Sequence, residues 1–396
     1  MIEIKDKRNC CGCTACSQVC PKRCISMQED AEGFKYPKVD SDLCNNCGLC
    51  EKVCPYLNSY PIPAEKPASY ACKTKDDSLR AKSSSGGLFT VLATRIIQDG
   101  GVVFGAKFDD GWNVVHGYAE SVEGLSAFRG SKYVQSELGD SLNQVKEFLK
   151  DGRKVMFTGT PCQVAGLNHF LQKEYDGLVT VDFVCHCVPS PLVWKNYLEE
   201  LRGDGIIKSV SFRDKSEGWA KFGLAVTGET AVLAKGNHHD NIYMKAFLSN
   251  LIVRPGCTNC PARFYKSGAD ITIADCWGFN EYHPELNDDK GMSLALLLSG
   301  KGAALYHEVE SQMDSLQIPY IEVQEESNHN PIIRSPKFHR YRNHFFNEII
   351  KGEKGTIELL EKYIKKGENR KKRVNSAKAV VRGLLGNKLI DKLRGR

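Results

Sequence analysis

Cys10-Cys11-Gly12-Cys13-Thr14-Ala15-Cys16-Ser17-Gln18-Val19-Cys20-Pro21 and Cys44-Asn45-Asn46-Cys47-Gly48-Leu49-Cys50-Glu51-Lys52-Val53-Cys54-Pro55 repeat one pattern. Each run reads C-x2-C-x2-C-x3-C-P, the spacing with which thiolates hold a 4Fe–4S cubane. Three closely spaced cysteines on a tight loop can wrap three irons. The fourth lies on the segment leading away, so it ligates the other cluster. The expected sets are Cys10, Cys13, Cys16 and Cys54 for one cluster, and Cys44, Cys47, Cys50 and Cys20 for the second. Gly12 and Gly48 supply backbone freedom within the loops. A pair of zinc knuckles also uses C-x2-C spacing, but two complete runs ending in Cys-Pro favour the clusters. Cys11 and Cys24 fall outside the pattern and read as spare thiols.

Residues 1–58 are therefore expected to form a bacterial-ferredoxin-type module, a metal-binding electron-transfer unit. The Pro-rich stretch 59–67 reads as a linker. At 396 residues the chain has room for two or three domains. Its 41% hydrophobic and 26% charged content is that of a globular protein with a real core. Ten of the 17 cysteines precede residue 55, a crowding that speaks for metal ligation or redox chemistry rather than a disulfide scaffold. No run of eighteen apolar residues appears, and Met1-Ile2-Glu3-Ile4-Lys5 lacks the character of a signal peptide. A cytoplasmic protein is expected.

The formal charge of +6 is unevenly placed. From Lys351 to Arg396 there are 15 Lys and Arg against 5 Asp and Glu, so the rest of the chain is mildly acidic. Residues 346–396 read as a basic helical tail. Its apolar positions Ala377, Val381, Leu384, Leu385, Leu389 and Leu393 recur every three or four residues. Such a helix can lie on the anionic inner face of a membrane or dock a partner. A solvated tail fits equally well, since Gly383 and Gly386 weaken the helix. Nucleic-acid binding has no aromatic platform behind it.

Between lies a body, 68–345, with neither a Rossmann fingerprint nor a P-loop. Its periodicity is mixed α/β: helices over Gly87–Gln98 and Leu142–Lys150, with strands at Val102–Ala106, Lys154–Thr158, Leu178–Val184 and Ala269–Ala274. Cys162, in Gly159-Thr160-Pro161-Cys162-Gln163, follows one strand; Cys185, in Val184-Cys185-His186-Cys187, ends the next. Neighbouring parallel strands would set both thiols at the carboxyl edge of the sheet, where open α/β sheets build sites. With the pair Cys257-x2-Cys260 they make a candidate third 4Fe–4S set. A nucleophilic cysteine, a zinc site or unrelated buried thiols are the competing readings.

Here the body resembles a known family. Ser83-Ser84-Ser85-Gly86-Gly87, Gly130-Ser131-Lys132-Tyr133-Val134-Gln135-Ser136 and Gly159-Thr160-Pro161-Cys162-Gln163 carry the likeness. So do Cys185-His186, Phe212-Arg213-Asp214-Lys215, and Cys257-x2-Cys260 followed by Ala269-Asp270-Ile271. In this order they resemble the beta subunit of coenzyme F420 (deazaflavin) hydrogenases and dehydrogenases, a family that includes the hydroxymethyl-chlorophyll reductases. The resemblance implies FAD, a 4Fe–4S cluster in the body, and a mixed-sheet flavin-binding domain behind the ferredoxin module. It implies flavin contacts at Ser85, Gly86, Gly87, Ser131, Lys132 and Tyr133. Cys187 and Cys276 depart from the family pattern, so either Cys185 or Cys187 remains open as the ligand.

A flavin suits the chemistry, because clusters move single electrons whereas most organic substrates take two. Ser85-Gly86-Gly87 before a helix would offer backbone N–H groups to a pyrophosphate; an ordinary N-cap is the plainer reading. Lys132 would hold the flavin's anionic edge or sit solvated. His186 is a candidate proton donor to substrate, or a structural hydrogen-bonder. Arg213-Asp214-Lys215 reads as a solvated charged turn, with an acidic-substrate site as the alternative. The expected function is an FAD-dependent iron–sulfur oxidoreductase working between a one-electron carrier or redox partner protein and a small two-electron substrate. Alternatives are a non-catalytic relay subunit and a cysteine-nucleophile enzyme using Cys162 or Cys185 with His186.

Overall fold

The computed structural model describes residues 1–320, 332 and 334–393, with side chains described to Ser376 apart from Asn280 and Asn375. Its strands are β1 (Ile25–Glu29), β2 (Lys35–Val39), β3 (Ala68–Thr74), β4 (Val102–Phe108), β5 (Val114–Ala119), β6 (Val155–Gly159), β7 (Leu178–Phe183), β8 (Ile207–Asp214), β9 (Gly223–Gly228), β10 (Val232–Asn237), β11 (Ile271–Asp275), β12 (Ser293–Leu297) and β13 (Met313–Gln317). The main sheet has eight strands in the order β13-β3-β12-β11-β7-β6-β4-β5. Its centre is parallel, β4 to β6, β6 to β7 and β7 to β11, and antiparallel strands flank it.

The central strands are buried on both faces, which is why they read as unbroken apolar runs. Along β4 and β6 successive side chains point to opposite faces. Val103 and Met156 join the core under helices Leu88–Gln98 and Gly300–Val309. Val102, Phe104, Val155 and Phe157 join the core under helices Ser141–Lys150 and Pro161–Leu171. Apart from helix Gly300–Val309, which the sequence reading did not name, these elements fall where the sequence places them, within two or three residues at their ends.

The cysteine-rich module is built into the body. Ala15, Val53, Cys11 and Cys13 belong to the core on the Pro161–Leu171 face. Gly166 on that helix admits the first cysteine loop: a Cβ there would stand 2.8 Å from Cys13 Cβ. On the other side, the turn between β1 and β2 plugs into a core built around helix Pro191–Arg202, the small sheet β8–β10 and helix Arg342–Lys351. Phe34 is fully buried there. Ser190 Oγ donates to Glu32 O at 2.5 Å, and Arg342 forks onto the Glu32 carboxylate at 3.0 and 2.6 Å.

The division expected at residue 345 does not match the packing. Phe345, Phe346, Leu359, Leu360, Tyr363 and Ile364 all enter the same core as Phe34, so the body continues into helix Thr356–Leu393. The backbone of the basic tail is helical to Leu393. The apolar stripe expected on Ala377 to Leu393 falls on side chains outside the described residues. Among the described residues no helix is long and apolar enough to cross a membrane.

Candidate iron–sulfur and flavin site

Thr14 and Gly48 both adopt left-handed backbone (φ 59° and 76°), turning each cysteine loop into a short helix, Ala15–Gln18 and Leu49–Lys52. These helices carry Cys16 and Cys50. The two runs then cross over. Cys10, Cys13, Cys16 and Cys54 line one cavity, and Cys20, Cys44, Cys47 and Cys50 line another. Cys24 shares the second cavity, its Sγ 3.4 Å from that of Cys20. Burial and the neighbouring charges of Cys10 and Cys54 push the Cys16 thiol well up. Such crowded thiolates call for a bound cation, and an all-sulfur donor set in an apolar hollow fits an iron–sulfur cluster.

A third cavity, of about 50 Å³, opens beyond the carboxyl ends of β6 and β7. Thr160 and Gln163 form a capping box with Pro161 in the first turn, so the helix begins here and Cys162 stands at its N-terminal end. Cys185 and Cys187 arrive from the loop after β7, and Cys257 and Cys260 from the 3-10 turn Pro255–Asn259 and its cap. Val188 N–H donates to Cys257 Sγ at 3.4 Å. A bond from the Cys187 side chain brings the Cys257 thiol down to about 7, against its burial. Burial, then the charges of Cys257, Cys162 and Cys260, push Cys185 up; burial, then Cys257 and Cys185, push Cys187 up against the charge of Arg263. Both Cys185 and Cys187 line the cavity with Cys162, Cys257 and Cys260. Among the described residues no three His, Cys, Asp or Glu side chains converge as a single metal ion requires. The thiols ring three hollows.

Cys11 is the residue whose place the sequence did not reveal. It is buried, lines both the first and the third cavity, and its thiol contacts those of Cys13 and Cys162. Cys276 lies away from the third cavity, in the core beside Trp219 and Phe279.

Of the residues carried over for a flavin, Ser85 donates to Met292 O at 2.6 Å and Gly86 N–H donates to Ser293 Oγ at 2.9 Å. Gly87, at φ 92°, caps helix Leu88–Gln98. Ser131 N–H donates to Ser84 Oγ at 2.8 Å, which joins the two candidate loops. Lys132 is half-buried: Nζ donates to the carbonyls of Ala127, Arg129 and Gly130, and burial lowers it to about 7. Tyr133 stacks on Phe247 at 4.9 Å, and His186 meets the same ring edge-on at 5.3 Å. Tyr133, a candidate flavin residue, and His186, the neighbour of Cys185, thus meet at Phe247. His186 Nε2 lies 2.7 Å from Asn250 Oδ1, and Asn250 Nδ2 donates to Lys337 O. Asn250 therefore accepts from the ring, so Nε2 carries the proton.

The charged turn expected at Arg213-Asp214-Lys215 is instead partly internal. Arg213 ends β8 buried, forks onto Asp275 at 2.9 and 3.0 Å, and donates to Tyr133 Oη and Ser84 O. Lys215 donates to Arg80 O and Lys290 O, and burial lowers it to about 8. The partner of Arg213 lies 62 residues away in sequence, so local composition could not announce it.

Asp182, also on the third cavity, has its carboxyl raised to about 7 by burial, against bonds from Ser267 and Thr272. The folded chain then holds a proton that the unfolded chain has released. Stability from this group is full below about pH 4 and lost as pH rises through about 7. Asp182→Asn is expected to flatten the fall in thermal midpoint between about pH 4 and pH 7, read by calorimetry. An equal fall in both proteins would contradict the assignment.

Comparison with known proteins finds matches to three domain models. Residues 9–58 match a 4Fe-4S dicluster domain. Residues 69–143 and 152–320 match the N-terminal and C-terminal domains of the coenzyme F420 hydrogenase/dehydrogenase beta subunit. The coenzyme F420-dependent sulfite reductase of Methanocaldococcus jannaschii is 29% identical over 170 residues, covering 42% of this chain and 26% of that protein. One of the subunits of the F(420)H(2) dehydrogenase of Methanosarcina mazei is 24% identical over 177 residues, covering 41% and 49%. A chain of the F420-reducing NiFe hydrogenase complex from Methanosarcina barkeri aligns with a TM-score of 0.46 and 18% identity, over 79% of this chain and 94% of that one. This chain spans about half or less of the length of these two curated relatives. It is an iron–sulfur redox protein, and it belongs to the family of the coenzyme F420 hydrogenase/dehydrogenase beta subunit.

Proposed function

We propose that the chain is an iron–sulfur flavoprotein oxidoreductase passing electrons between a one-electron carrier and a two-electron substrate of the deazaflavin class. The observation that carries this reading is continuity. The second cysteine set reaches the surface at Cys47, the first lies inward, and Cys11 lines both the first cavity and the third. Three 4Fe–4S clusters would be held by Cys20, Cys44, Cys47 and Cys50, by Cys10, Cys13, Cys16 and Cys54, and by Cys162, Cys185, Cys257 and Cys260. FAD, when bound, supplies the conversion between single-electron and two-electron chemistry. Ser85, Gly86, Gly87, Ser131, Lys132 and Tyr133 are the residues proposed to line its site, next to the third set through Phe247. His186, with Nε2–H fixed on Asn250, is the group proposed to hold a proton near the substrate.

A relay subunit without its own chemistry is the second reading. It is favoured by the engagement of Ser85, Gly86 and Lys132 with their own backbone surroundings. The full chain, loaded with iron, sulfide and FAD, separates the two. With reduced viologen as donor, FAD-dependent reduction of the deazaflavin is expected. Clusters that oxidise the viologen without any deazaflavin reduction would leave the relay. The carrier is expected to dock near Cys47, and a cytoplasmic setting, with or without peripheral membrane contact through the basic tail, suits this chemistry.

A further inference from the structure

Buried guanidinium groups need a counter-charge, because an unpaired charge in the interior is costly. Arg80, Arg213 and Arg342 each fork onto a carboxylate, those of Asp288, Asp275 and Glu32. Arg254 is as deeply buried, 1% exposed, yet among the described residues no carboxylate pairs with it. Nε donates to Cys10 O at 2.9 Å, Nη1 to Gln135 Oε1 at 3.0 Å and Nη2 to Lys35 O at 2.9 Å. Nη2 also points at Cys10 Sγ, 3.6 Å away. The guanidinium stands over the Tyr36 ring at 4.3 Å. It also lines the third cavity. Gly12 completes the fit: at φ 73° it carries no Cβ, which would meet Nη1 at 2.9 Å.

We propose that Arg254 is a positioning and potential-setting residue whose counter-charge is the anionic cluster held by Cys10, Cys13, Cys16 and Cys54. This rests on the cluster reading above. An added electron makes a cluster more negative, so a fixed cation and an N–H···S bond both stabilise its reduced form. Arginine is always charged and its fork is rigid, so the effect persists across physiological pH. Arg254 thereby raises the reduction potential of the inner ferredoxin cluster above that of the outer one. Electrons entering near Cys47 are drawn inward, to the cluster beside the third site.

The test is an anaerobic, EPR-monitored redox titration of the full chain, each ferredoxin signal being assigned by its loss in Cys16→Ala or Cys47→Ala. Arg254→Gln is expected to lower the midpoint of the inner cluster and leave the outer one in place. Arg254→Lys, which keeps the charge but not the fork, is expected to lower it less. An unmoved inner midpoint in Arg254→Gln at full iron content overturns the proposal. Should Arg254→Gln lose the inner cluster, Arg254→Lys decides: a lowered midpoint supports the proposal and an unchanged one overturns it. A wild-type chain with no pair of ferredoxin signals would mean that the cluster reading itself has failed.

Discussion

Cys257→Ala is expected to lose about four of about twelve irons per chain, taking four for each cubane, and to sever electron flow to the substrate. Cys257 lines the third cavity with Cys162, Cys185, Cys187 and Cys260. Its Sγ also accepts the Val188 N–H. Removing it leaves three of the four proposed ligands. The ferredoxin signals should persist, since neither ferredoxin cavity includes a residue of this set. Viologen oxidation by the clusters should then continue while substrate reduction stops. Full iron with normal turnover would show that the third set holds no cluster.

Phe34→Ala is expected to destabilise the whole chain by about 3–5 kcal/mol, the usual range for deleting a fully buried phenylalanine. Phe34 is the anchor of the β1–β2 turn in the core beneath helix Pro191–Arg202. Two supports fix the same turn: the Arg342–Glu32 fork and the Ser190–Glu32 hydrogen bond. Gly33, between Glu32 and Phe34, sits at φ 83°, and a Cβ there would stand 2.3 Å from Leu192 Cβ. Gly33→Ala should therefore add its own loss, from backbone strain of about 1–3 kcal/mol plus the clash. Urea unfolding monitored in the far ultraviolet measures both. A ferredoxin module that merely hung on a linker would make both substitutions nearly silent on the stability of the body.

The cysteine runs were legible because cluster ligation demands fixed local spacing, and a pattern repeated twice leaves few alternatives. The central strands were legible because burial on both faces makes Val155-Met156-Phe157 and its neighbours continuously apolar. The carboxyl-edge placement of Cys162 and Cys185 followed once β6 and β7 were taken as parallel neighbours, and they are paired from Val155↔Leu178 to Gly159↔Asp182. Features made by distant pairings were not legible. Cys11 looks spare until Cys162, far along the chain, comes to rest against it. Arg213 looks like a solvated charge until Asp275 meets it. Arg254 directly precedes Pro255-Gly256-Cys257, but only the fold brings Cys10 to it. The boundary drawn at residue 345 followed the charge gradient. Phe345, Phe346, Leu359 and Leu360 lie within or beside that basic stretch and still complete the core.

The most direct measurement is the content of iron, acid-labile sulfide and extractable flavin in the full chain, purified without oxygen and reconstituted. About twelve iron, about twelve sulfide and one FAD per chain is the expected result. About eight iron and no flavin, even after reconstitution, would contradict it and leave a two-cluster relay.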